Sequence, residues 1–574
     1  MATPQRANLD AETLQELTDN ALSLEDRDDV AIVVPQLPAQ TFVRIARHLR
    51  EENRLELLLP YATPAQLTSL VDLDTWNRDR LDVLKARQWL VAVTETYRLV
   101  GRPRGDLVET MYAMDPEIWT AVVAGGTEVY DLDPQVDDSR DAAAAMMPEH
   151  LVWDTPDGFF VVGVTDDEFG RAALAILYSV YEDDLSEGRK LCLSVQAALM
   201  SSLEEDLLRW RIGRLADLGF VEWEEAMKLF RPLDAMAAAD RAPADFAYLT
   251  DRTALESTVS WHGPELLRRI MGRLTDTEHG LRSREFLLLV NEVMAAQRFE
   301  PGDEKLQARA IDQTQATLSL GLELLMSARP GHPDPEAFLA ERVKALGLRN
   351  IFRVGYGALD KLRRAATTLH REGRVSLRTP GSLLDRPWGP SIAVLSRWLP
   401  ELPVIAKSNT LRPIRGLRDV ATATQRIAEA GALAQLCFAP AGYGVDPAWI
   451  GRVDEPERLT LGDLVRTAAV HAQLPGQQAS MAPLTPDDLV WAREHLLEPG
   501  GVVAAVRNDF DARCEDAGVG AHAAALADVL LPRLAAELSA LEVDEDGHPD
   551  LSKVAGLVTI QTIGMWLKTT QGVD

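Results

Sequence analysis

Leu37-Pro38-Ala39-Gln40-Thr41-Phe42-Val43-Arg44-Ile45-Ala46-Arg47-His48-Leu49 and, further on, Thr63-Pro64-Ala65-Gln66-Leu67-Thr68-Ser69-Leu70-Val71 decide the fold class of this chain. Each run opens on a proline. Proline lacks the N–H that the first helical turn leaves orphaned, and its φ is already helical. Thr63 can accept a hydrogen bond from another orphan N–H. In the first run Phe42, Ile45, Ala46 and Leu49 share one face, and in the second Leu67, Leu70 and Val71 do. That spacing predicts amphipathic helices with one buried side. Pro38 and Pro64 stand 26 residues apart, and Pro116 follows Pro64 by 52, two such periods. Helices repeating at this interval bury their apolar faces on one another. The expected fold is mainly α, a stacked, superhelical repeat-like architecture.

The same start signals recur as Asp115-Pro116-Glu117, Asp334-Pro335-Glu336, Asp446-Pro447-Ala448 and Thr485-Pro486-Asp487. Periodic runs predict helices over 204–218, 224–230, 265–274, 284–297 and 305–326. Gly219 stops the first, and Pro301-Gly302 and Pro330-Gly331 mark loops. One stretch reads as strand. Leu151-Val152-Trp153 and Phe159-Phe160-Val161-Val162 flank Thr155-Pro156-Asp157-Gly158, in which proline pre-sets the turn and glycine takes the positive φ. A single small β-hairpin insertion is expected there.

Charge divides the chain further. Residues 131–190 carry 15 acidic and 4 basic side chains, a net of −11. Within them 131–141 and the alanines behind it read as an acidic linker. Residues 351–420 carry 13 basic and 5 acidic side chains, a net of +8, and are interrupted by six prolines. The organisation expected is a helical repeat region over 1–130 and a central helical region with linker and hairpin over 131–330. A basic, proline-rich connection over 331–420 and a C-terminal helical region over 421–574 follow. The basic stretch can dock on the acidic one, lie in solvent, or meet an external anion.

The whole chain, 574 residues with a net charge of −29, is long enough for several domains. Such an excess of carboxylates argues against bulk nucleic-acid binding, which needs concentrated positive charge. Residues 1–9 show no signal-peptide core. The apolar run 554–567 is shorter than the roughly 20 residues of a membrane helix, so a docked terminal helix is expected and no membrane insertion. Three cysteines fit the cytoplasm. Cys192 and Cys437 sit between apolar neighbours as buried thiols, and Cys514, between Arg513 and Glu515, reads as more exposed. No CxxC, HExxH, phosphate loop, dinucleotide fingerprint or GxSxG elbow occurs, so no metal or cofactor is implied.

Binding candidates are therefore dispersed. Arg209, Arg211 and Arg214 share one helix with Glu204, Glu205 and Asp206, and can grip a phosphate or carboxylate or form structural ion pairs. His262, in Trp261-His262-Gly263-Pro264-Glu265, enters a helix beside Glu265, a carboxylate suited to acid/base work with it. His279 precedes Gly280 at what reads as a helix end. Arg412, Arg415 and Arg418 close the basic segment.

Leu203-Glu204-Glu205, Arg209-Trp210-Arg211 and Arg214-Leu215-Ala216-Asp217-Leu218-Gly219-Phe220 resemble the central signature of a bacterial family known only as a domain of unknown function, mainly from delta-proteobacteria. Ala62-Thr63-Pro64-Ala65-Gln66, Leu73-Asp74-Thr75-Trp76, Val290-Asn291-Glu292-Val293-Met294 and Leu320-Gly321-Leu322-Glu323 resemble it too, so that the likeness covers residues 24–330. The family implies no activity. The Pro-Ala-Gln helices are distantly similar to the superhelical repeats of the magnesium-transporter cytoplasmic domain and the flagellar motor switch, a likeness of packing style that carries no function. The expectation is a non-catalytic cytoplasmic scaffold or protein-interaction module with protein partners. The alternative is an enzyme or an anion-binding regulator built from dispersed His, Glu and Arg.

Overall fold

The structure is a computed structural model. It describes residues 11–77, 79–114, 116–132, 138–147, 151–198, 200–241, 263–404, 410–447, 450, 459–476, 483–544, 548–551, 554 and 556–559. The chain forms two compact units. The first comprises Met1–Arg231, Arg241–Thr314 and Asp334–Asn350, and the second Pro232–Asp240, Gln315–Pro333 and Ile351–Asp574. Both are mainly α with small β insertions.

In the first unit the helix Ala39–Glu51 buries Phe42, Val43, Ile45, Ala46 and Leu49, the face that the spacing marks. The helix Pro64–Asp74 packs against it and opens on a full capping box. Thr63 Oγ1 accepts from the Gln66 N–H, and Gln66 Oε1 accepts from the Thr63 N–H. The Gln66 amide then donates to the carbonyls of Val34 and Leu37, so the capping residue also ties this helix to the turn before the previous one. A short hairpin, Trp76–Asn77 with Arg80–Leu81, leads into the helix Val83–Leu99. The helices Met200–Asp217, Asp276–Gln297 and Glu304–Ser327 occupy the regions that the periodicity marks.

The hairpin is present as Leu151–Asp154 and Phe160–Val164, turned on Gly158 with φ 71°. It is larger than the sequence suggests. Thr127–Asp131 pairs antiparallel with Phe160–Val164 and makes that strand central in a three-stranded sheet. All five residues of the central strand are buried. Val162 and Val164 pack in a cluster with Leu177, Tyr181 and Cys192, and Val161 packs against Ala143 and Met147. Ala143 belongs to a helix, Ser139–Ala145, where a linker was expected. Ala143, with Met147 just beyond the helix, covers Val161 on the second face of the sheet. Residues 133–137 lie outside the described residues. Besides this three-stranded sheet and the hairpin of Trp76–Asn77 with Arg80–Leu81, Glu401–Pro403 pairs with Leu411–Pro413 and Leu497–Glu498 with Gly501–Val502. The single hairpin is thus one of four small β elements among the described residues.

The second unit contains the helices Trp388–Leu395, Leu417–Phe438, Leu461–Gln473, Pro486–His495, Ala504–Asp516 and Ala523–Ala540. Every residue from Leu461 to His471 is buried, which places that helix at the centre of the unit. The Glu323 carboxylate accepts the Leu417 N–H at 2.7 Å, a cap supplied from far along the chain. The expected C-terminal helix differs from what is seen. Residues 556–559 form a turn and a bridge in which Thr559 pairs with Leu484, because Gly556 breaks the apolar run. The rest of that run, 560–567, lies outside the described residues. No helix among the described residues is long and apolar enough to cross a membrane.

Candidate functional site

The helix Pro64–Asp74 ends on Asp72-Leu73-Asp74, two carboxylates at the end of the dipole that disfavours them. Both are buried, at 2% and 4% exposure. A buried carboxylate costs several kcal/mol unless cations and hydrogen bonds meet it. Three donors meet Asp74. Arg47 Nε lies 2.5 Å away, Trp89 Nε1 2.7 Å and Lys85 Nζ 3.1 Å. Arg47 comes from the helix Ala39–Glu51, and Lys85 and Trp89 from Val83–Leu99. Two cations therefore share one carboxylate.

Asp72 is met by the arginine group. Arg214 grips it with Nε at 2.6 Å and Nη2 at 2.8 Å, while Arg211 Nε donates to the Asp72 carbonyl at 2.8 Å. The Arg211 guanidinium lies 5.0 Å from the centroid of the Trp76 ring and 3.5 Å from Glu300. Burial pushes its pKa down, and Glu300 and Asp72 oppose that. The three arginines do not act together. Arg211 and Arg214 are three apart, share a helix face with Leu207 and Leu215, and enter the core. Arg209 lies on the opposite face and pairs with Asp206 in solvent.

A cleft of about 730 Å³ opens beside Asp74. Arg47, Arg50, Lys85 and Lys305 supply its cations, and Trp76 and Leu73 its apolar part. Arg50 donates to Gln88 Oε1 at 2.5 Å and its guanidinium lies 4.9 Å from the Trp89 ring centroid. Five acids share the wall, Glu51, Asp74, Glu300, Asp303 and Glu304, and among the described residues all but Glu51 have local partners. Glu300 faces Arg211, Glu304 lies 3.9 Å from Arg44, and Asp303 accepts the N–H groups of Lys305 and Leu306 at the start of their helix. The loop carrying them is the expected Pro301-Gly302. A Cβ on Gly302 would sit 1.8 Å from the Leu73 carbonyl oxygen, so only glycine lets this loop close on the end of the Asp74 helix. The indole N–H of Trp76 is buried with no hydrogen-bond partner among the described residues.

The other sequence candidates lie elsewhere. Glu265 pairs with Arg269 at 2.7 Å on the exposed face of its helix, and His262 lies outside the described residues. His279 falls in the first turn of the helix Asp276–Gln297 and not at a C-terminal end, because Thr275 and Glu278 form a capping box that starts the helix just before it. Arg412 is bidentate to Asp419, at 2.7 Å for both bonds, and the Arg415 N–H donates to the same carboxylate. Burial alone would raise Asp419, yet these bonds hold it below the usual carboxylate range. Arg418 is exposed. All three cysteines are buried, Cys514 included, since Arg513 and Glu515 point away on either side of it along its helix. Burial pushes the Cys192 thiol up to about 11 and Cys514 to about 12, and raises Cys437 as well. No group of His, Cys, Asp and Glu among the described residues could hold a metal ion.

Sequence reading singles out Arg211 and Arg214 and leaves out Arg47, Arg50, Asp72 and Lys85 as site residues. The signal available for the aspartates was their place, two acids in the last turn of an apolar helix.

These features define a mainly α-helical protein with a charged cleft. The chain belongs to the family of unknown function DUF6178, whose family model matches residues 18–559. That match runs well past the resemblance over 24–330 and takes in the second unit's helices. No curated protein and no solved structure matches the chain. Three of the segments that carry the resemblance meet in the first unit. Arg211 and Arg214 reach Trp76 and Asp72, and Asn291 Nδ2 donates to the Leu218 carbonyl at 3.1 Å. Arg211 and Arg214 among them join helices.

Proposed function

We propose that the chain is a helical protein-interaction module, and that the cleft of its first unit receives a carboxylate-bearing segment of a protein partner. One observation carries this reading: Arg47 and Lys85 share the single carboxylate of Asp74, which leaves one positive charge in excess at that hub, on a wall that Glu51 also lines. Arg50, held by Gln88 and the Trp89 ring and with no carboxylate within ion-pair distance among the described residues, adds a second. Cations already held in place lose little freedom on binding, so more of the interaction appears as affinity. Arginine presents paired N–H groups that match a carboxylate.

The test is a thermal-shift titration of the intact protein with hexaglutamate peptide at low ionic strength, alongside Arg50→Ala and Lys305→Ala. A ligand that binds only the folded state raises the melting point with concentration. The wild type is expected to shift and Arg50→Ala to lose most of that shift. Equal shifts in both, or none in the wild type, overturn the reading.

A further inference from the structure

The second unit buries its own charged cluster around the helix Leu461–Gln473. Arg466, 4% exposed, sits at the middle. Its Nη1 lies 3.4 Å from Asp385 Oδ1. Its Nη2 lies 2.5 Å from Asp463 Oδ1, 3.1 Å from the Gly556 carbonyl oxygen and 3.6 Å from Glu537 Oε1. Asp385 also takes Arg533 Nη1 at 3.1 Å and the Gly462 N–H at 2.8 Å. Three carboxylates thus face two guanidiniums. A surplus negative charge out of water is costly, and the usual relief is a proton. Two atoms of the cluster, Arg466 Nε and Glu537 Oε2, are buried without a hydrogen-bond partner among the described residues.

Residues 556–559 lie directly on this cluster. The Gly556 carbonyl accepts from Arg466, and its N–H bonds to Glu537. A Cβ there would come within 2.1 Å of Glu537 Oε1. Beyond it the Val558 N–H donates to Thr467 Oγ1 at 2.9 Å, the Val558 carbonyl accepts from the Leu484 N–H at 2.9 Å, and Leu557 and Val558 are buried.

We propose that this cluster is a proton-operated latch, which holds residues 556–559 against the helix Leu461–Gln473 while Asp463 carries a proton and releases them when it does not. Arg466 Nη2 is the moving part, because it donates to both Asp463 and the Gly556 carbonyl. An ionised Asp463 draws the guanidinium toward itself and repels Asp385, and the Gly556 contact weakens. The groups facing Asp463 are Arg466 on its own helix, Asp385 from the segment before Trp388–Leu395, and the Thr460 N–H, which its Oδ2 accepts at 2.8 Å. Arg533 and Glu537 from Ala523–Ala540 face Asp385 and Arg466 respectively. The Cys437 thiol stands near Asp385, and residues 556–559 bring backbone groups. Burial raises Asp463 to about 7, against Arg466 and with help from Asp385. The closed state therefore binds the proton more tightly than the open one. Closure is strongest near the ordinary carboxylate range, weakens as pH climbs toward 7, and is weakest above it.

The experiment is hydrogen exchange of the full-length protein at pH 6 and pH 8, read as protection factors at Leu557 and Val558. Protection is expected to fall at least about tenfold from pH 6 to pH 8, the change that one pKa unit of differential binding gives. Asp463→Asn, neutral at both values, should show the same protection at each. Unchanged wild-type protection, or an undiminished fall in Asp463→Asn, overturns the latch. Should that variant fail to fold, Glu537→Gln balances two carboxylates against two guanidiniums and should likewise abolish the fall, and a fall that persists there overturns the latch equally.

Discussion

The two charged hubs differ in which sign is left over. At Asp74 two cations share one carboxylate beside an open cleft, and at Arg466 three carboxylates share two guanidiniums in the core. The surplus decides what each hub can do. A positive surplus next to solvent can be met by an anionic partner, whereas a negative surplus away from solvent must be met by a proton. Exposure decides how each responds to damage. Arg47 and Lys85 are 25% and 39% exposed and can turn to water if their carboxylate goes, while Arg466, at 4%, cannot.

The largest effect should follow from Asp385→Ala. It removes the carboxylate that Arg466, Arg533 and the Gly462 N–H share, so all three lose a partner at once. Breaking a buried pair in this way costs on the order of 3–5 kcal/mol. Denaturant unfolding should show the loss in the transition that reports the second unit. Asp74→Ala, by the exposure argument, should cost less, about 1–3 kcal/mol. Equal losses would break the comparison, since they would mean that access to water does not soften the loss of a partner.

Arg50→Ala tests the surplus and leaves the hub itself intact. Arg50 is half-buried, makes one hydrogen bond to Gln88 and lies over Trp89. Stability should change by no more than about 1 kcal/mol. Affinity for hexaglutamate should fall about tenfold, as the loss of one charge-assisted contact predicts. A large stability loss with unchanged affinity would make Arg50 a packing residue and remove the cleft's second cation from the argument.

Much of the fold was legible because it is written locally. Thr63 and Gln66 form their capping box within four residues, Thr485 and Asp488 do the same, and the faces of Phe42, Ile45 and Leu49 follow from spacing. The third strand was not legible, since Thr127–Asp131 becomes a strand by pairing with Phe160–Val164 about thirty residues on. The hubs were least legible. Asp72 meets Arg214 across 142 positions, and Asp385 meets Arg533 across 148. An aspartate in an amphipathic run looks the same in sequence whether its partner is water or a guanidinium. What separates the cases is tertiary packing, and burial then raises the stakes of the choice.

The smallest expected effect is also the clearest check on that point. Arg209 and Arg214 belong to one helix and read alike in sequence, yet Arg209 is 72% exposed and Arg214 covers a carboxylate that is 3% exposed. An exposed i,i+3 pair such as Arg209–Asp206 contributes little, because water and salt replace the partner. Arg209→Ala should change stability by less than about 0.5 kcal/mol, whereas Arg214→Ala strands Asp72 and should cost about 2–4 kcal/mol. Because the two residues do not share a partner, the double variant should lose roughly the sum of the two. A double variant well away from that sum would show that the helix Met200–Asp217 couples its two faces, and the division of the arginines into a solvent face and a core face would then have to be redrawn.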